Sequence, residues 1–193
     1  MVAEFEIKQH LLELSLGEFL DRTNRERPEI TGGCVLLSNA TLNAAMVLMA
    51  LKISLKKGKD AGQRRHLRQK IKTISNFQML LIDAAAKDLQ VFDEYRQILK
   101  SKARNKQGRL DHALQHATDS LLGACKTLNK CIAYTEAAKA LTDPAVLSDL
   151  HAGQLIFEAV FAALIALAEG NIKSMPEEAQ VKYERWKEDL QNA

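Results

Sequence analysis

The residues with the most pointed chemistry are Gly32 and Gly33, in the stretch Thr31-Gly32-Gly33-Cys34. They stand before a run from Val35 to Ile53 with no Gly, no Pro and one charge, Lys52. Glycine lets a backbone approach a neighbour closely. A helix start presents unpaired N–H groups and the positive end of a dipole, which together favour anions. A Gly-Gly turn feeding an apolar helix is therefore a candidate ligand cradle. The competing reading is a tight turn ahead of a core helix. Other chemical groups are scattered. His112 and His116 sit at i, i+4, but with Gln115 between them and no HExxH motif they read as a surface pair rather than a metal site. The three cysteines, Cys34, Cys125 and Cys131, form no CxxC pair and read as reduced thiols of a cytoplasmic protein. The run Leu55–Lys72 carries eight Lys or Arg against Asp60. It is a solvated face or a polyanion-steering patch, and without interleaved aromatics it is no platform for stacked bases.

The elements that must position these groups are helices. Hydrophobic residues make up 47% of the 193 residues, aromatics 5%, and there are only three prolines, which favours packed helices over strands. The net charge of +3 does not mark a nucleic-acid binder. The start of the chain has Glu4 and Glu6 and no signal-peptide layout. After a lead-in helix over residues 1–14, Ser15-Leu16-Gly17-Glu18 forms a capping box. It opens a helix to about Arg25, which Pro28 terminates.

The central helix runs from about Gly33 to Leu55, with Asn39 and Asn43 on one face and Ala40 and Ala44 as a ridge for close contact. Its buried polar groups need partners, either in a neighbouring helix or in a ligand. Long helices follow over about Arg64–Lys100 and Leu110–Leu141, the first interrupted by Asp83 and Asp88. Thr142-Asp143-Pro144 is turn chemistry. Ser148 and Asp149 precede an apolar helix over 152–168, where Asp149 can serve as a cap or dipole partner worth ~1 kcal/mol. Glu169-Gly170-Asn171 ends it, and an amphipathic tail helix with Trp186 closes the chain. Polar residues inside both apolar runs argue against a membrane span. Helices apolar on all sides need cover on all sides, so an oligomer is expected. The fold class is all-α: one domain over 1–193, a bundle of long helices.

One ordered set of features resembles a known family. It comprises Glu18-Phe19-Leu20 in the capping box, the Gly pair, a small-residue helix reaching Met49, and the basic loop. Asp88 with Phe92, Ala113-Leu114-Gln115-His116-Ala117-Thr118, and Ser148-Asp149-Leu150 before an alanine-rich helix complete it. Over residues 11–190 this is similar to the formiminotransferase-cyclodeaminase C-terminal family, which includes methenyltetrahydrofolate cyclohydrolases. The resemblance implies an all-helical dimer with a folate site associated with the dimer cleft, and chemistry at the one-carbon unit of tetrahydrofolate. Cyclodeaminases close 5-formiminotetrahydrofolate to the methenyl form with loss of ammonia. Cyclohydrolases open the methenyl ring with water. Both need a proton donor and acceptor within ~3 Å and a charge matched to a cationic amidinium. Neither needs a metal or a cofactor beyond the tetrahydrofolate substrate.

By that resemblance Asp149 and Asp88 are the acid–base or amidinium-stabilising groups. Gly32 and Gly33 form the cradle, and Ser148, Asn39 and Asn171 orient the ligand. Lys52 replaces an asparagine of the family pattern and changes the site's charge. Lys56, Lys57 or Lys59 would serve a glutamyl tail. Ile30 and Thr31 stand where the family has proline and glycine, and Leu167 where it often has asparagine. These departures keep two alternatives open: the same fold acting on a non-folate cyclic amidine, imine or amine, or a non-catalytic helical binding protein. The expected partners are a folate-like small molecule and a second copy of the chain, with no nucleic acid and no membrane.

Overall fold

A computed structural model describes residues 11–58, 60–102 and 104–192. Among these, no strand occurs, and six helices account for most of the chain: α1 (Leu16–Thr23), α2 (Gly32–Lys57), α3 (Ala61–Lys100), α4 (Lys106–Glu136), α5 (Leu147–Lys173) and α6 (Glu177–Gln191). The first ten residues of the expected lead-in helix lie outside the described residues, while 11–13 are helical.

Local chemistry explains where the helices start and stop. The capping box of α1 is formed: the Glu18 carboxylate accepts from the Ser15 N–H at 2.9 Å, and the Ser15 hydroxyl accepts from the Glu18 N–H at 3.2 Å. Helix α3 begins three residues ahead of the sequence-based expectation. Asp60 caps it by accepting from the Gln63 N–H at 2.8 Å. Helix α4 stops at Glu136 instead of Leu141, and the chain tightens into two 3-10 turns, Lys139–Leu141 and Pro144–Val146. The larger correction is α5. Ser148 and Asp149 lie inside its first turn rather than before it, and Glu169-Gly170-Asn171 does not end it. A helical glycine costs about 1 kcal/mol against alanine, but buried Ala168 and Ile172 hold the last turns against the bundle.

The four long helices run alternately up and down. Each of α2, α3, α4 and α5 packs on its sequence neighbour, and α5 closes the ring against α2. Helix α6 lies over α4 and α5, where the Tyr183 hydroxyl donates to the Asp119 carboxylate at 2.9 Å. Fully buried Leu37, Leu51, Leu67, Leu81, Leu122 and Phe157 fill the interior. This alternation collects the start of α2, the end of α3, the start of α4 and the end of α5 at one end of the bundle.

Close approach of α2 and α5 rests on small residues. Ala40 and Ala44 are fully buried, as their spacing predicts. Asn43 donates to the Gly153 carbonyl at 2.7 Å, and a Cβ at Gly153 would stand 2.5 Å from Val47 Cγ2. Gly153→Ala should therefore destabilise the fold by about 1–3 kcal/mol through overpacking, against a helix-propensity gain of about 1 kcal/mol. Chemical denaturation would check this; a midpoint at or above that of the native chain would contradict the tight crossing.

The outer face of the same pair is uncovered. Leu42 is 71% exposed, Met49 43% and Leu155 51%. Gly32–Lys57 and Pro144–Lys173 are each long and apolar enough to cross a membrane by length and composition. On α5 the outward residues Ser148, Ala152, Leu155, Ala159, Ala162 and Ala166 alternate steps of four and three. This is the seam spacing of a helix that packs against another helix.

Candidate active site

A cleft of about 540 Å³ opens at the collected end of the bundle. Its centre is Asp88, on the α3 face that also carries Val91, Phe92 and Tyr95 at helical intervals. Opposite Asp88 lies the start of α2. Thr31 is the N-cap, with φ −80° and ψ 161°, and its hydroxyl oxygen accepts from the Cys34 N–H at 3.0 Å. The same hydroxyl donates to the Asp88 carboxylate. One side chain thus caps α2 and anchors the acid. Thr31 has ordinary extended geometry, and no glycine among the described residues has positive φ. The Gly pair therefore supplies space rather than an unusual backbone conformation. A Cβ at Gly33 would stand 2.6 Å from Asp88 Oδ1 and 2.8 Å from Cγ and Oδ2, so only glycine lets the carboxylate lie against the helix start.

Two opposing effects set the proton affinity of Asp88. Burial removes water from its carboxylate and raises the pKa above the ordinary value of 3.8; the Thr31 hydroxyl and the Cys34 N–H pull it back, and burial wins. Such a carboxyl exchanges protons closer to neutrality than an exposed one. Cys34 beside it is no nucleophile. Burial, with the nearby Asp88 charge adding, pushes its thiol up to about 12. Cys125 and Cys131 are likewise free and buried, their thiols pushed up to about 12 by burial.

The far wall comes from α4 and α5. Asp111 brings a second carboxylate and accepts from the Gln107 amide at 2.9 Å. Leu114, Ala117 and Leu121 supply an apolar surface, and Leu167, Asn171 and Ser174 close the α5 side. The lining contains no Lys, Arg or His. A cleft with two carboxylates, two aromatic rings and no fixed cation favours a flat ligand carrying positive charge.

Of the residues singled out from sequence, Gly32, Gly33, Asp88 and Asn171 converge here. The others do not join them within one chain. Lys52 and Lys56 are exposed toward the far end of α2, and Lys52 lies about 30 Å along the helix from Gly32. Asn39 is exposed, and Asn43 is the residue of that pair turned into the bundle. Ser148 lines a separate concavity with Lys139, Pro144, Leu147 and His151. Asp149, half-buried in the first turn of α5, is about 33 Å along the helix from Asn171. Lys57 pairs with Asp143 at 3.0 Å, and Lys59 lies outside the described residues. The His112 and His116 rings lie side by side, centroids 4.1 Å apart and planes tilted by 50°. No group of three or more metal-ligating side chains occurs among the described residues.

Tyr95, Gln107, Asp111 and Ser174 went unnoticed in the sequence. Tyr95 had a signal: it stands seven residues after Asp88 and three after Phe92, which puts all three on one face. Asp111 opens an equivalent row with Leu114, Ala117 and Leu121.

The structure is thus that of an all-helical bundle with a carboxylate-lined cleft at one end. The chain belongs to the formiminotransferase-cyclodeaminase family, whose profile it matches over residues 15–189. It is similar in structure to the formiminotetrahydrofolate cyclodeaminase of Thermotoga maritima, with a TM-score of 0.78 at 20% identity over 93% of each chain. None of the curated proteins matches it by sequence.

Proposed function

We propose that the protein is a tetrahydrofolate one-carbon enzyme that closes 5-formiminotetrahydrofolate to the 5,10-methenyl form with release of ammonia. Hydrolytic opening of the methenyl ring is the related activity of the same site. The observation that carries this reading is Asp88: a half-buried carboxyl of raised pKa, fixed by Thr31 and seated on Gly33, in a cleft whose lining in this chain holds no cation. A protonated formimino group is an amidinium, and the methenyl product is also a cation. Asp88 and Asp111 match that charge throughout. In the forward step N10 attacks the amidinium carbon, giving a tetrahedral carbon bonded to N5, N10 and the departing amine. Asp88 takes the N10 proton and returns it to the amine, which leaves as ammonia while the methenyl cation forms. This work asks only for a positioned acid–base group and a matched field, with tetrahydrofolate as substrate. The likeness of the whole fold to a cyclodeaminase supports ammonia loss as the reaction to test first.

The uncovered face of α2 and α5 supports a two-fold dimer as the working form. In an antiparallel pairing along the α5 seam, the start of one α5 meets the end of the other. The partner's Ser148 and Asp149 would then reach the Leu167–Asn171 end of the cleft. That arrangement reunites the groups that one chain holds apart. Buried unpaired thiols fit a reducing cytoplasm.

The direct test uses 5-formiminotetrahydrofolate, with ammonia release and the methenyl absorbance followed together. Equal, enzyme-dependent appearance of both is expected. Loss of methenyl absorbance from added methenyltetrahydrofolate, without any ammonia from the formimino compound, would reassign the enzyme to the hydrolytic reaction. No turnover of either substrate would overturn the reading.

A further inference from the structure

A second concavity of about 380 Å³ adjoins the cleft and shares Pro28, Phe92 and Tyr95 with it. Its remaining walls are Arg27, Arg96, Leu99 and Lys100. The two spaces differ in charge: the cleft has two carboxylates and no cation, the annex three cations and no carboxylate in its lining. Arg27 and Lys100 are exposed and make no ion pair among the described residues. Arg96 lies 3.8 Å from the Asp93 carboxylate and 5.7 Å from the Phe92 ring centre, so its guanidinium is held over the aromatic ring at the junction. Along α3 the step from Asp88 to Arg96 is about 12 Å and to Lys100 about 18 Å. The molecule thus presents, in order, a negative pocket, a pair of aromatic side chains and a positive pocket.

We propose that this annex binds the carboxylate-bearing arm of the ligand, with Arg27, Arg96 and Lys100 as the groups that receive it. The inference rests on the folate reading and extends it. A ligand that fits both spaces carries a cation at one end, an aromatic ring in the middle and carboxylates at the other. The amidinium, the aminobenzoyl ring and the glutamate of 5-formiminotetrahydrofolate have that order. Phe92 and Tyr95 flank the ring, and the three cations hold the glutamate. Within one chain Lys56 and Lys57 stand at the opposite end of α2 and do not reach the annex. Because Arg27 and Lys100 are exposed, the attraction is screened by salt beyond about 8 Å at physiological ionic strength.

The test uses a probe without pterin or one-carbon unit, 4-aminobenzoyl-γ-triglutamate, titrated calorimetrically into the whole protein at low salt. The native chain should bind it, and Arg27→Ser/Lys100→Ser should weaken that binding at least tenfold. A matched loss of two exposed cations elsewhere, Arg65→Ser/Lys72→Ser, should change it less than twofold. Equal binding by the native chain and the annex variant would overturn the proposal, as would an equal loss in the matched control. Turnover separates this from the enzymatic reading. If 5-formiminotetrahydrofolate is processed, the annex variant should raise KM at least tenfold with a smaller change in kcat; an unchanged KM would remove the annex while leaving the activity. Probe binding lost in the annex variant, with no turnover of any folate by the native chain, would keep the annex and remove the reaction.

Discussion

Asp88→Asn should abolish most of the activity, by about a hundredfold or more, while leaving the protein as stable as before or more so at neutral pH. The first half follows from the role: an amide cannot carry a proton from N10 to the departing amine. The second follows from the sign of the pKa shift. Burial raises the folded-state pKa of Asp88 above its ordinary value. The stability this group contributes is therefore fully present below the ordinary carboxylate pKa, where it is protonated in both states. That contribution is lost as pH rises through the folded-state pKa. At neutral pH the partly desolvated charge opposes folding, and a neutral isostere removes that cost while still facing the Thr31 hydroxyl and the Cys34 N–H. The stability advantage of the variant should shrink on acidification from neutrality toward the ordinary carboxylate range. Activity of the native enzyme should rise with pH through the Asp88 titration, above the range of an exposed carboxylate. Thermal melts and initial rates across pH would check both; a variant that loses activity together with a large part of its stability would make Asp88 a structural residue instead.

That coupling of function to cost explains what the sequence could and could not disclose. The helices were legible because apolar periodicity and caps are local: Ser15 with Glu18, and Pro28 after α1, need no tertiary knowledge. The ends of α5 were not, since Gly170 and the Ser148-Asp149 pair look like punctuation until the packing of Ala168 and Ile172 outweighs them. In the site, the Gly pair was visible as a feature but its reason was hidden. Neither glycine needs positive φ; Gly33 matters because Asp88, 55 positions on, rests against it. Thr31, which reads as a departure from the family pattern, is the residue that ties the two together. A contact over that separation has no local signature. Nor does the annex, because Arg27 comes to Arg96 and Lys100 from a segment some 70 positions earlier in the chain.

The second large effect concerns the open face. Leu155→Glu places a charge in the middle of the α5 seam, at a position half-exposed in the single chain. It should leave the helical content intact, convert a dimer into monomers and lower kcat/KM by about a hundredfold or more, the loss expected when an acid–base partner is removed. Sedimentation and circular dichroism would separate dissociation from unfolding. A native chain that is monomeric at assay concentration yet fully active would defeat the shared site outright. A sharper version uses two inactive proteins. If each site combines Asp88 of one chain with Asp149 of the partner, every mixed dimer of Asp88→Asn and Asp149→Asn holds one intact site and one doubly damaged site. Random exchange makes half of the dimers mixed, so about a quarter of native activity should return. If both aspartates act from the same chain, or if Asp149 only stabilises the start of α5 through the helix dipole, mixing restores nothing beyond the sum of the two variants. Recovery therefore measures whether the 33 Å or so between the two ends of α5 is bridged by a second copy of the same helix.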